Sequence, residues 1–131
     1  MEIRETKEQL TVNNACIDGS AFTDVSLKDC IFDNVTLAGV KITNANMSDL
    51  EIDGAQLGGA YIHHIGMPPE DHPQYDPAAK QRPLRFEDCE LEGSVFEKCN
   101  FKNTKLNSCN LEGMKIDGIE VNELLKAYKK A

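Results

Sequence analysis

Outside the segment from Gly66 to Pro83 the chain contains no proline, and no apolar run anywhere approaches the length needed to span a membrane. The N-terminal stretch MEIRETKEQL is charged and lacks the apolar core of a secretory signal. Both absences point to a cytoplasmic protein without membrane association. Chemical signatures are missing as well. No Gly-rich phosphate cradle follows a strand and opens a helix, and neither His-x-x-His nor His-Glu-x-x-His occurs. No Cys-x-x-Cys clamp is present, and no Ser/His/Asp arrangement stands above chance. The expectation is a protein that is not an enzyme, with no catalytic residue, no cofactor and no bound metal.

Positive charge is also scarce: 14 Lys and Arg oppose 22 Asp and Glu, a formal net charge of −8. The deficit is uneven. Residues 1–64 and 86–121 are strongly acidic, 65–85 is balanced, and the last ten residues are weakly basic. Direct binding to nucleic-acid phosphates is disfavoured by that balance.

What the chain has in abundance is a period of five. Apolar anchors run from Val12 through Ile17, Phe22, Leu27, Phe32, Leu37, Ile42, Met47, Ile52 and Leu57 to Ile62. They resume at Phe86 and continue through Leu91, Phe96, Phe101, Leu106, Leu111 and Ile116 to Val121. On an α-helix, positions five apart lie about 140° apart and form no stripe. In a straight strand an odd separation sends alternate anchors to opposite faces. A chain that bends once per repeat resolves both conflicts, because every anchor can then face one axis. The positions two before each anchor agree: Ala15, Ser20, Val25, Cys30 and their successors carry no charge.

The bend falls two residues after the anchor. In the first block those residues are Asn, Asp or Gly from Asn14 to Gly59, with His64 last; such types tolerate positive φ or close their own turn. The second block is looser, with Lys98 and Ser108 at the same position. The expectation is that Phe32, Leu37, Phe96, Phe101 and Leu106 are fully buried, with Lys28, Lys41, Glu51, Lys102 and Lys105 in solvent.

Units such as AFTDV, CNFKN and CNLEG resemble the A(D/N)LXX motif of the pentapeptide-repeat proteins. That resemblance implies an all-β fold, a right-handed quadrilateral β-helix with four pentapeptides to a coil and the anchors filling its interior. Here it would be a single domain over 1–131: a first repeat block at 10–64, an inserted loop at 65–83, a second block at 84–121 and a short capping helix at 122–131. With coils stacked at the ~4.8 Å strand spacing, the rod would be about 23 Å long. The resemblance also raises a specific role, since some members protect bacteria from quinolones by imitating DNA towards gyrase. Lys28, Lys41, Lys98, Lys102, Lys105 and Lys115 interrupt the negative surface that such mimicry would use.

The five cysteines read as small buried thiols in a reducing compartment. Cys30, Cys89, Cys99 and Cys109 occupy inward positions, and Cys89 and Cys109 would stack one coil apart without pointing at each other. The loop GMPPEDHPQYDPAAKQRP holds all five prolines and breaks the repeat. The anchors resume with Phe86 taken as the next face after Ile62, so the loop reads as an insertion that the rod tolerates. His63, His64, His72, Glu70, Asp71 and Asp76 are the residues a loop-borne metal or acid/base site would draw on, against the simpler reading of a solvated loop. The better candidate is a partner-binding loop in which His72, Tyr75, Lys80 and Arg82 combine stiffness, an aromatic ring and charge. The partner would be a protein of unknown identity. At the C-terminus Asn122 reads as the N-cap of a helix with Leu124, Leu125 and Tyr128 on one side, which either covers the rod's end or mediates a homodimer there.

Overall fold

The computed structural model describes residues 1–130 and divides into two compact units, Met1–Ala60 and Tyr61–Ala131. In both, the backbone bends where the sequence places a corner. Every residue two after an anchor, from Asn14 to His64 and from Asp88 to Gly118, has a positive φ, between +50° at Asn14 and +80° at Gly118. Lys98 at +55° and Ser108 at +54° obey the rule despite their unfavourable type, so the repeat imposes the conformation on whichever residue falls there.

The corners are of two kinds and alternate. In the first unit the N–H groups of Ser20, Cys30, Val40, Leu50 and Ala60 donate to the carbonyls of Ile17, Leu27, Leu37, Met47 and Leu57, at 2.8 to 3.3 Å. Each is a four-residue turn with positive φ at its third residue, as in a type II turn. Between them lie open corners at Asn14, Asp24, Asn34, Asn44 and Gly54, bent without such a bond. The second unit repeats the alternation. Its closed corners are those of Leu91, Phe101 and Leu111, and its open ones are at His64, Asp88, Lys98 and Ser108.

Side chains stabilise each kind locally. Ahead of closed corners, the Oδ1 atoms of Asn46, Asn100 and Asn110 accept the N–H groups of Ser48, Lys102 and Glu112 at 2.9 to 3.0 Å. These are Asx turns, which pre-form the bend. At the open corners of the second block, the thiols of Cys89, Cys99 and Cys109 donate to the carbonyls of Glu87, Glu97 and Asn107, each at 3.3 Å. The weak sulfur donor thus ties corners that lack a backbone bond.

The burial expectation is corrected. Among the described residues none is buried; Phe32, Leu37, Phe96, Phe101 and Leu106 each keep half or more of their surface exposed. The reason is that contacts are made almost wholly between residues close in sequence, so anchors lack the cover that another coil would supply. The inward and outward sides are nevertheless distinct: the outward Ile31 and Val95 expose 89% and 75%, against 43% for Leu27 and 46% for Leu91. Regular strand pairing is confined, among the described residues, to one hairpin.

That hairpin was not foreseen. Strands β1 (Lys115–Ile116) and β2 (Ile119–Glu120) pair antiparallel, Lys115 opposite Glu120 and Ile116 opposite Ile119. Asp117 and Gly118 join them with φ of +49° and +80°, both positive as a type I′ turn requires. The Asp-Gly pair between apolar residues is a strong hairpin signal, but Gly118 also falls on a corner position of the repeat, which concealed it. The N–H of Val121 donates to the Met114 carbonyl at 2.9 Å and extends the ladder into helix α1 (Val121–Lys130). Asn122 therefore lies within the first turn and is not the cap. Glu123 in the first turn and Lys129 and Lys130 in the last complement the helix dipole, and Lys126 Nζ meets Glu123 Oε1 at 3.3 Å.

Candidate functional site

The loop is built from short turns of its own. Its prolines exclude helix and ladder pairing, and it folds instead on consecutive four-residue turns. The His72 N–H donates to the Pro69 carbonyl at 2.9 Å, the Tyr75 N–H to the His72 carbonyl at 3.0 Å, and the Ala79 N–H to the Asp76 carbonyl at 3.1 Å. Two side chains reinforce the path: His72 Nδ1 accepts from the Gln74 N–H at 3.0 Å, and Asp76 Oδ1 from the Ala78 N–H at 2.9 Å.

Of the sequence candidates, His72 and Tyr75 are brought together as the two ends of one turn, and Tyr75 is the less exposed aromatic, at 40% against 81% for Tyr61. Lys80 and Arg82 follow the last turn and are exposed. Arg85, just beyond them, pairs with Glu87 across 2.9 Å, both side chains well exposed, so that this ion pair adds little stability.

Immediately before the loop His63 and His64, named above as candidates for a metal or acid/base site, join Tyr61 in a ring cluster that the sequence reading did not foresee. Tyr61 stacks on His63 with centroids 4.1 Å apart, and Nδ1 of His63 sits 2.9 Å from Nδ1 of His64. The signal was present as Tyr-x-His-His, but a repeat frame assigns such residues to corners and solvent. Glu70 and Asp71 lie in the first turn of the loop, and among the described residues no three His, Cys, Asp or Glu side chains gather as a metal-ligand set. All five cysteines are free thiols, but they are exposed where burial was expected, because contacts are almost wholly local and no other coil covers the inward positions. No helix of the described chain is long and apolar enough to cross a membrane.

Two runs of backbone bent at five-residue intervals, each with an apolar anchor two residues before every bend, define a repeat protein. The family model of pentapeptide repeats matches in 8 copies over residues 20–59 and 85–119, more than half of the chain, and the protein belongs to that family. The matched ranges omit the loop and the terminal helix. No curated protein and no solved structure matches the chain.

Proposed function

We propose that this protein is a non-enzymatic pentapeptide-repeat scaffold, wound as a right-handed four-sided β-helix, that holds the 65–83 loop out to a protein partner. The observation that carries the reading is the loop itself. Among the described residues it is the one stretch between two runs of five-residue corners where the corners stop, and its backbone is organised by the Pro69–His72, His72–Tyr75 and Asp76–Ala79 turns. A proline-stiffened loop loses little entropy on binding, and His72, Tyr75, Lys80 and Arg82 supply an aromatic ring with donors around it. The partner is a protein and not nucleic acid, in keeping with the charge of −8. Self-association through the C-terminal helix is compatible with this role.

The test is a pull-down from the native host with the full chain and with a variant carrying alanine at His72, Tyr75, Lys80 and Arg82, followed by titration of the captured protein. Loss of its binding with an unchanged melting midpoint supports the loop as the recognition element. Equal binding by both forms moves the function to the repeat surface. Gyrase as the captured partner, bound with strong salt dependence, would then favour imitation of DNA by the acidic face.

A further inference from the structure

We infer that the loop is spliced into the repeat in place of one hydrogen-bonded corner, with Ile65 and Met67 as the inward pair of that side, and is not hung between two neighbouring corners. The inference is independent of whether the loop binds a partner. It starts from the alternation of corner types. Within the second unit the corner at His64 is open and the corner at Asp88, where the repeat resumes, is open too; from there the order is closed, open, closed, open, closed up to Gly113. Two open corners in succession occur nowhere else among the described residues. A closed corner is missing between them, and the loop stands where it should be.

The missing side is identified by its apolar residues. Five after Ile62 comes Met67, and two before Met67 comes Ile65, which continues the anchor row and the inward row without interruption. Exposure gives an independent sign. Anchors at closed corners, from Ile17 to Leu57 and at Leu91 and Phe101, expose 43–53% of their surface, whereas those at open corners expose 57–65%, apart from Val12. Met67 exposes 47%, within the closed range.

What stops this side from closing is its corner residue. Two after Met67 stands Pro69, whose ring holds φ near −65°, where every other corner has a positive value. The turn is displaced downstream, with Pro69 as its first residue and His72 as its fourth. The chain thus leaves the repeat at a corner that proline forbids and returns at Leu84, the inward residue ahead of Phe86.

Two shortened proteins separate the alternatives. Replacing residues 68–83 by Asn-Gly sets Met67 five before Phe86 and restores a closed corner between two open ones. Deleting residues 65–83 sets Ile62 five before Phe86 and joins two open corners. The expected result is that the Asn-Gly protein melts in one transition within about 5 °C of the parent, while the deletion protein melts lower by more than that. Equal midpoints, or the reverse order, would overturn the inference, as would failure of both to fold. A third variant needs no shortening. Met67→Asp in the full chain should lower the midpoint far more than Gln74→Asp in the loop's turns, and equal small shifts would show that Met67 is no anchor.

Discussion

Asn100 Oδ1 accepts the N–H of Lys102 at 2.9 Å, across the anchor Phe101, and so sets the bend before the closed corner itself is made. Asn110 does the same for Glu112 at 3.0 Å. A side-chain acceptor that bonds two residues onward offers the backbone a turn in place of a strand. Asn100→Ala should therefore cost about 0.5–1.5 kcal/mol in urea unfolding, whereas Asn100→Asp, which keeps the acceptor, should cost less. Identical midpoints for the alanine variant and the parent would show that the Asx turn follows the corner and does not direct it.

Gly58 and Gly59 are adjacent but respond to opposite demands. Gly59 is the corner residue with φ of +78°, and no left-handed φ applies to Gly58; a Cβ at either would meet nothing within 4 Å. Sterics with other residues drop out, so backbone preference alone decides. Gly59→Ala should destabilise by about 1–2 kcal/mol, and Gly58→Ala should stabilise by about 0.4–1 kcal/mol through the unfolded chain. Thermal or urea unfolding of the two single variants reads the sign directly. Two shifts of the same sign would remove the corner assignment at this repeat.

The corners were legible because a period-five pattern leaves so few conformations that put every anchor on one side. Asn14, Gly19 and their successors announced positive φ by residue type, and Lys98 and Ser108 were carried into it by position. The alternation of closed and open corners was not legible. It depends on hydrogen bonds such as Ser20 to Ile17, which the residue types only hint at through Asn46, Asn100 and Asn110. The loop's limits rest on composition more than on spacing: Met67 stands five after Ile62, but the prolines after it draw the boundary to His64. At the C-terminus the repeat frame absorbed Asp117-Gly118, whose hairpin chemistry competes with a corner at the same place. The ring cluster of Tyr61, His63 and His64 lay outside the five-residue spacing, since it rests on the rotamers of residues only one and two apart.

Phe96 and Phe101, anchors of an open and a closed corner in turn, meet edge to face with centroids 5.4 Å apart and planes at 68°. That geometry places the positive ring edge of one over the negative face of the other. A double-mutant cycle with Phe96→Leu and Phe101→Leu should give a coupling of about 0.5–1.5 kcal/mol. The single variants keep most apolar surface, so the cycle isolates the aromatic contact. Additive effects would mean that the two rings do not share one side of the chain in solution.

The final prediction concerns the hairpin that launches the helix. Gly118 has φ of +80° and follows Asp117 at +49°, a pair that only a few residue types adopt together. Helix α1 has 10 residues, too few to persist in isolation, so it depends on the bond from the Val121 N–H to the Met114 carbonyl and on the ladder that sets it up. Gly118→Ala should cost about 1–2 kcal/mol at the turn, and part of that loss should appear as helix fraying, seen as a weaker 222 nm circular dichroism signal below the main transition. Gly118→Asn, a residue that enters left-handed φ more readily, should recover most of both signals. Full helicity in Gly118→Ala would show that Leu124, Leu125 and Tyr128 hold the helix by packing, independently of the turn that precedes it.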